Sequence, residues 1–185
     1  MPRVLSSDTR HIVLLRGVNL ASRNRVAMPQ LRDVLTRAGF ADVRTYVQSG
    51  NIVLARRASP ERVADEVNAL IKKTFGIDVP VLVRSRPDLA QVIKRNPLAK
   101  VAADPKRYLV TFMSDAPGSD LQEQLRRVSG PQEEFAVIGR EVYSWHPAGV
   151  GRSPLWERLS GKATGITATS RNWTTVEALL AMADD

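Results

Sequence analysis

Two polar stretches of the chain carry side chains that could bind a ligand. Guanidinium groups form charge-assisted hydrogen bonds with phosphate and carboxylate oxygens, and side-chain amides both donate and accept. Ser49 is a weak nucleophile candidate, because VQSGN lacks the G-x-S-x-G elbow that exposes a reactive serine. The chemistry predicted is therefore recognition of an anion. The candidate residues are Arg16, Gly17, Asn19, Arg23, Asn24, Arg25, Tyr46, Gln48, Ser49, Gly50 and Asn51.

The elements that would position these residues follow the order strand, helix, strand, strand, helix, strand. Residues 11–16 (HIVLLR) form an apolar run typical of a buried strand, and the loop after it spans about eleven residues, above the usual median of about 4–6. Pro29 is well placed to begin a helix, as Pro60 is after the capping residue Ser59. This order is typical of the split β-α-β, or ferredoxin-like, fold. The predicted strands are residues 11–16, 43–48, 51–55 and 79–83, and the predicted helices are 29–38 and 60–75.

The stretch YVQSGNIVL, residues 46–54, predicts a β-hairpin with Ser49 and Gly50 as its two-residue turn. With this turn, Thr45 faces Leu54, and the members of each facing pair share one side of the sheet. The core side would carry Val43, Thr45, Val47, Ile52 and Leu54. The other side would be open to water, a ligand or a partner, and it would carry Arg44, Tyr46, Gln48, Asn51, Val53 and Ala55.

The ferredoxin-like topology would bring three features to one edge of the first sheet, here called the rim. They are the end of the first strand at residues 16–19, the hairpin tip at residues 48–51 and the start of the helix at Pro29. Unpaired amides and the positive end of the helix dipole would point to the rim, and Met28, as a poor capping residue, would leave those amides unsatisfied. An anion could bind there. The positive charge would come from Arg16, Arg23 and Arg25.

The same residues have an interpretation that involves no ligand. Asn19 and Asn24 could satisfy the loop backbone, while Gln48 and Asn51 pair across the turn. The arginines would then be solvated surface residues. The sequence leaves both interpretations open.

The remainder of the chain predicts a second, similar series that ends in a helix starting near Asn172 or Thr174. Thr174 and Glu177 have the spacing of a capping box. No fourth strand is evident here; the series contains a strand at 108–113, a helix at 120–128 and a hairpin of 134–138 with 142–145. The predicted fold class is α+β, with two tandem ferredoxin-like halves and mainly antiparallel sheets. The predicted divisions are a flexible tail at 1–10, a first half at 11–86, a helical connector at 87–107 and a second half with the C-terminal helix at 108–185.

Composition restricts the function classes further. The 185 residues include no cysteine and only two histidines, so thiol chemistry is excluded and neither a metal site nor another cofactor is predicted. No apolar run approaches the roughly 20 residues of a membrane span, and MPRVLSSDTR lacks the apolar segment of a signal peptide. No membrane partner is therefore predicted, and the cytoplasm is the expected compartment.

The net charge of +8 lies in the first part of the chain. Residues 1–86 contain 15 Lys and Arg against 7 Asp and Glu, whereas residues 87–185 contain 12 of each kind. This predicts a phosphate-bearing small molecule or a nucleic acid as the partner. A GC-rich genome is another source of the excess, since Arg outnumbers Lys 21 to 6.

Three motifs occur in an order that resembles the bacterial family called domain of unknown function 1697. They are RGVN with the following Asn24 and Met28, then YVQSGNIVL, then TSRNW at residues 169–173. The resemblance implies an α+β protein with two ferredoxin-like halves, and it implies no reaction, because the family has none established. The chain departs from the family pattern at Ala21 and Ser22, where paired glycines are usual, so its backbone has less freedom to approach a ligand there.

The TSRNW motif is expected to begin the last helix. Ser170, Arg171 and Asn172 would then supply a helix cap and a positioned cation facing the first half. They would either tie the two halves together or complete the rim site.

Three functional hypotheses follow. The first is non-catalytic binding of an anionic ligand through the basic first half. The second is a small metal-independent enzyme that uses Tyr46 or a bound water in proton transfer, with Asp78 as the nearby acid and a rim cluster of Arg16, Asn19, Gln48 and Asn51. The third is self-assembly through the exposed face of the first hairpin; the oligomeric state itself is left open. An RNA-recognition module of the usual kind is disfavoured, because the first and third strands lack aromatic residues.

Overall fold

The computed structural model describes residues 9–161 and 165–185, and the chain divides into two compact units. The first unit comprises the chain up to Leu89 together with Leu179–Asp185, and the second comprises Ala90–Ala178. Residues 1–8 of the predicted tail lie outside the described residues, and its last two residues belong to the first strand. The elements described are, in chain order, β1 (Thr9–Leu15), α1 (Met28–Arg37), β2 (Ala41–Tyr46), β3 (Asn51–Arg56), α2 (Pro60–Phe75), β4 (Val81–Ser85), α3 (Arg86–Arg95), β5 (Tyr108–Met113), α4 (Ser119–Val128), β6 (Glu134–Ile138), β7 (Glu141–Trp145), a 3₁₀ turn (Val150–Arg152), α5 (Pro154–Ser160), β8 (Ala168–Asn172) and α6 (Trp173–Asp184).

The first unit is built on a four-stranded antiparallel sheet in the order β2-β3-β1-β4. The helix α2 begins as predicted after Ser59, whose Oγ accepts a hydrogen bond from the Arg62 N–H, and it ends at Gly76 with a φ of 72°. The apolar stripes of α1 and α2 pack against one side of this sheet and form a single core. Its fully buried members include Val13, Leu15, Leu31, Leu35, Ile52, Leu54, Val63, Val67 and Ile71.

The hairpin between β2 and β3 has a four-residue loop, residues 47–50, so the predicted two-residue turn is wrong. Thr45 pairs with Ile52 and not with Leu54, which displaces the register by two residues. Because side chains alternate with a period of two, this displacement leaves the strand residues on their predicted sides. Val47 is the exception, since it lies in the loop with a φ of 50° and is 57% exposed.

The side of the first sheet away from α1 and α2 is largely buried, so the prediction of an open face is also wrong. Asn51 and Val53 are 0% exposed and Ala55 is 5% exposed. Arg44 is half-buried, and its guanidinium donates to the Met182 backbone oxygen of the same unit. A surface that is already covered offers little to a ligand or to a second copy.

The second unit contains a sheet of the same kind, in the order β6-β7-β5-β8. The strand that the sequence analysis missed is β8, which pairs antiparallel with β5 and places Ser170 opposite Thr111. The TSRNW motif therefore belongs mostly to a strand, and α6 begins at its tryptophan, Trp173. With this fourth strand, both units have the ferredoxin-like order, and the predicted α+β fold of two tandem halves is confirmed.

The core of the second unit lies between its sheet and the helices α4 and α5. Met113 and Val142 of the sheet pack there against leucines of both helices, including Leu125 and Leu159. Within the described residues, no helix combines the length and the apolar composition that a membrane-spanning segment needs.

Candidate functional site

The loop after β1 and the tip of the β2–β3 hairpin meet at one edge of the first sheet. The Leu15 N–H donates to the Gly50 oxygen at 2.8 Å, and the Asn19 side-chain amide donates to the Gln48 oxygen at 2.7 Å. The same amide donates to the Val26 oxygen at 2.9 Å, and Asn19 Oδ1 accepts from the Val26 N–H at 2.9 Å. Asn19 thus joins the loop to the hairpin and to the residues that lead into α1.

Left-handed backbone conformations shape this loop. Gly17, Asn19, Ala21 and Asn24 have φ angles of 68°, 54°, 52° and 49°. Asparagine tolerates this region, whereas an alanine there is strained. The Asn24 side-chain amide donates to the Gly17 oxygen at 3.1 Å and so holds the loop closed. Both asparagines act as the interpretation without a ligand expects.

Gly50 is required by the packing of the hairpin tip. Its φ is +81°, and a Cβ on it would lie 2.6 Å from the Leu15 Cβ and 2.7 Å from the Val18 Cγ2. Neither neighbour can move freely, because both belong to the core of the first unit. The role of Gly50 is therefore to let the hairpin approach β1.

Asn51 closes the hairpin loop from inside. Its side-chain amide donates to Ser49 Oγ at 2.9 Å and to the Tyr46 backbone oxygen at 3.2 Å, and the residue is 0% exposed. Gln48, by contrast, has an exposed side chain. Of the candidate residues at the hairpin tip, Gln48 and Ser49 are therefore the exposed ones.

A cleft of about 430 Å³, here called the rim cleft, opens between the loop, the hairpin tip and the start of α1. Arg25 is its charged lining residue, and it is exposed. Within the described residues, the side chains of Arg23 and Arg25 form no hydrogen bond or ion pair. The backbone N–H of Arg16 donates to the Pro80 oxygen at 3.0 Å. The other lining residues include Asn19, Ala21, Met28, Pro29 and Gln48.

The first turn of α1 borders the rim cleft without a side-chain cap. Met28 is the first helical residue and Ala27 is the N-cap, so the predicted start at Pro29 is late by one residue. The Leu31 N–H donates to the Ala27 oxygen at 3.0 Å, as in a regular helix. Pro29 has no N–H, which leaves the amides of Met28 and Gln30 as donors at the positive end of the helix dipole.

Asp78, the acid considered for proton transfer, is held by α2. Its Oδ1 accepts a hydrogen bond from the Asn68 amide at 2.9 Å, and its Oδ2 lies 3.6 Å from Lys72 Nζ. The Asn68 hydrogen bond and then the Lys72 charge lower the pKa of the Asp78 carboxyl. A carboxylate with a lowered pKa is a poor general base.

Ser170, Arg171 and Asn172 lie in the second unit, on β8. Ser170 Oγ is 2.7 Å from Thr111 Oγ1, and the buried Arg171 donates to Thr169 Oγ1 at 2.7 Å. Burial lowers the pKa of Arg171 to about 10. Asn172 Oδ1 accepts from the Thr175 N–H at 2.9 Å and caps α6. Each of these hydrogen bonds joins residues of the second unit.

A buried polar network in the second unit was missed in the sequence analysis. His146 Nε2 lies 2.8 Å from Ser144 Oγ, and His146 Nδ1 lies 2.8 Å from Ser153 Oγ and 3.3 Å from Glu133 Oε1. The types are those of a serine-histidine-carboxylate triad, but His146 and Ser144 are 0% exposed and Ser153 is 6% exposed. Ser153 also accepts from the Trp156 N–H as the cap of α5. The network therefore links the segments around Glu133, His146 and Ser153, and it exposes no serine that could act as a nucleophile.

Burial lowers the pKa of His146, and the neighbouring Glu133 opposes that shift without cancelling it. Burial also opposes ionisation of Glu133. Hydrogen bonds from Ser153, the Gly130 N–H and His146 outweigh it, and the pKa of Glu133 is lowered. In the sequence, the one sign of this network is Ser153 followed by Pro154, a pair that is typical of a helix start.

The strand orders of the two units define an α+β protein built from tandem ferredoxin-like units. A family model described as protein of unknown function (DUF1697) matches residues 9–143, and the chain belongs to this family. It is similar in structure to the conserved bacterial protein SP0830 from Streptococcus pneumoniae, with 21% sequence identity, a TM-score of 0.75 and coverage of 95% of this chain and 98% of that one. Likeness at this identity shows a shared fold. A search of curated proteins finds no match.

Proposed function

We propose that the first unit binds an anionic, phosphate-bearing small molecule in the rim cleft. The observation that carries the proposal is one cleft that combines the uncapped start of α1 with the guanidinium of Arg25. Backbone amides and the dipole at a helix start favour a negatively charged ligand. A guanidinium adds charge-assisted hydrogen bonds, and Gln48 supplies a further polar group.

Size favours a small molecule over a nucleic acid. The cleft volume of about 430 Å³ falls within the roughly 300–1,000 Å³ of small-molecule sites, whereas single-stranded nucleic acids follow extended basic grooves. Charge supports the same choice. The first unit contains 15 Lys and Arg against 10 Asp and Glu, and the second contains 12 against 9, so neither has the strong excess of a nucleic-acid binder.

A binding role is favoured over a catalytic one. Asp78 is engaged by Asn68 and Lys72, and Tyr46 is not among the residues that line the cleft. The groups that do line it can donate hydrogen bonds and supply charge, but they include no carboxylate, histidine, tyrosine or lysine. The cytoplasm is the compartment proposed for this binding, on the grounds given by the sequence.

The test is calorimetric titration with inorganic phosphate and with ADP at low and high salt. Arg25→Ala is expected to weaken binding by about tenfold or more, because a hydrogen bond to a charged group contributes about 1.5–3 kcal/mol. Arg57→Ala is the matched control. It removes the same charge from an exposed residue that follows β3, at the end of that strand away from the hairpin, and should leave the affinity unchanged.

Amide chemical shifts give an independent readout of the position. Phosphate should shift the Met28 and Gln30 amides, since these are the donors of the first helical turn. Equal losses of affinity in both arginine variants would show diffuse charge attraction and contradict a site in the rim cleft. Tighter binding of single-stranded nucleic acid than of ADP would contradict the small-molecule proposal and show that the partner is a nucleic acid.

A further inference from the structure

Two exposed apolar side chains border the rim cleft. Leu20 is 65% exposed and Val47 is 57% exposed, the highest values among large apolar side chains in the part of the chain that the structure describes. Leu20 follows Asn19, and Val47 precedes Gln48; both of these polar residues line the cleft. The Asn19 amide donates to the Gln48 oxygen at 2.7 Å, so the two apolar side chains extend from neighbouring points of one edge.

The backbone that carries these two side chains is held in place. The Arg23 N–H donates to the Leu20 oxygen at 3.0 Å, and the Asn19 N–H donates to the Asn24 oxygen at 3.0 Å, which closes a tight turn. Val47 has a φ of 50°, a conformation that a β-branched residue adopts only at a cost. Such strain is concentrated at functional sites. Neither burial nor backbone preference accounts for a valine at position 47.

The lining of the rim cleft is itself partly apolar. The exposed residues Ala21, Ala27 and Pro29 line it together with the polar residues Arg25 and Gln48. Small-molecule sites combine an apolar lining with a few polar groups in this way. A phosphate group alone would fill only a small part of a cleft of about 430 Å³. The remaining space suits an organic group with apolar surface.

Charge and area indicate the kind of ligand. The segments that form the rim, residues 16–32 and 46–51, contain four arginines and no Asp or Glu. This charge favours an anion. Two side chains cover far less than the roughly 1,000 Å² that a specific protein–protein interface buries, so a small molecule fits this surface better than a protein does.

We propose that the ligand of the rim cleft is an organic phosphate whose ester group is planar or apolar, and that Leu20 and Val47 pack against this group. The inference rests on the proposed function, because the phosphate is bound by the same cleft. Leu20 and Val47 are then the residues that determine specificity. A nucleoside monophosphate has the required chemistry, whereas a sugar phosphate lacks the apolar surface that these side chains would cover.

The test compares AMP with ribose 5-phosphate, which is AMP without its base, by calorimetric titration of the full chain. AMP should bind at least about tenfold more tightly, because apolar surface of the base is buried against the two side chains. Leu20→Ser and Val47→Asn should each reduce this preference by about threefold or more, and the double variant should abolish it. The affinity for ribose 5-phosphate should change by less than about twofold in all three variants.

Val101→Ser is the matched control. Val101 is also an exposed apolar side chain, at 37%, but it lies in the second unit, so the preference for AMP should be unchanged. Val47→Asn has a second readout, since asparagine tolerates the left-handed conformation. This variant should unfold at a higher denaturant concentration than the parent while it loses selectivity, which circular dichroism measures.

The outcomes separate this inference from the proposed function. Equal affinities for AMP and ribose 5-phosphate would overturn the inference and leave the anion site in place. Binding of neither compound would overturn both. A preference for AMP that survives the double variant would overturn the role of Leu20 and Val47.

Discussion

At the residue scale, a position can require glycine because its φ is positive or because there is no space for a Cβ. Gly17 and Gly50 differ in the second respect. Both have positive φ, but only Gly50 lacks space for a Cβ, whereas nothing lies within 4 Å of that position on Gly17. Gly50→Ala should lower the free energy of unfolding by about 2–4 kcal/mol, since strain and overpacking combine. Gly17→Ala should cost about 1 kcal/mol, from backbone strain alone. Chemical denaturation measures both, and equal costs would contradict the close approach to Leu15.

Asn19 provides a second test at this scale, through an isosteric change. Asn19→Asp keeps the acceptor for the Val26 N–H but replaces both amide donors with an oxygen that faces the Gln48 and Val26 carbonyls. The expected loss is about 2–4 kcal/mol of unfolding free energy, because two acceptors lose their donors and meet a negative charge. Asn24→Asp, which loses a single bond to Gly17, should cost less. The reverse ranking would show that Asn19 does not hold the rim together.

Some rim residues could be identified from the sequence and others could not. Arg16, Asn19 and Gln48 stand out by type, and Gly50 stands out because a turn requires it. Ala21 and Val47 could not be anticipated, because their left-handed φ angles of 52° and 50° are imposed by the surrounding loop against their own preference. The shape of the rim cleft depends on this backbone conformation, which cannot be predicted from the residue types.

At the element scale, the start of α6 distinguishes two capping assignments. The sequence suggests Thr174 with Glu177, but the Glu177 carboxylate accepts from Trp173 Nε1 at 2.9 Å, and Asn172 caps the helix. Asn172→Ala should therefore cost about 1 kcal/mol of unfolding free energy, whereas Thr174→Ala should stay within about 0.5 kcal/mol of the parent. Thermal or chemical unfolding of the two variants gives the ranking. A larger loss for Thr174→Ala would support the capping box.

A helix or strand can be predicted from the sequence when neighbouring residues define its ends. α2 is bounded by Ser59, Pro60 and Gly76, all readable from neighbouring residues, and its limits are as predicted. β8 was missed because ATSRN has no apolar alternation, and its pairing partner, β5, is more than fifty residues earlier in the chain. The register of the first hairpin depends on loop length, and VQSG allows either two or four loop residues.

At the scale of the whole molecule, each unit contains one buried histidine whose pKa is lowered. His11 in the first unit and His146 in the second are both 0% exposed, and burial lowers the pKa of each below the ordinary value of 6.5. As the pH falls below 6.5, the unfolded chain binds protons that the folded chain does not. Stability is therefore full above that pH and is lost as the pH falls toward the folded pKa values.

The expected slope is at most about 1.4 kcal/mol of unfolding free energy per pH unit for each histidine. Denaturant unfolding between about pH 7.5 and pH 5.5 measures it, above the range in which carboxylates titrate. His146→Gln and His11→Gln should each reduce the slope, whatever they do to the stability at neutral pH. A slope that neither variant changes would show that other groups govern the acid sensitivity.

The division of the chain also has a consequence for biosynthesis. The first unit includes Leu179–Asp185, with Asp184 bonded to Arg86 and the Met182 oxygen bonded to Arg44. A ribosome therefore releases nearly all of the second unit before it supplies the segment that completes the first. The unit translated earlier is therefore the one completed later: its four strands are all made by Ser85, but its contacts with Met182 and Asp184 can form only after residues 179–185 are made.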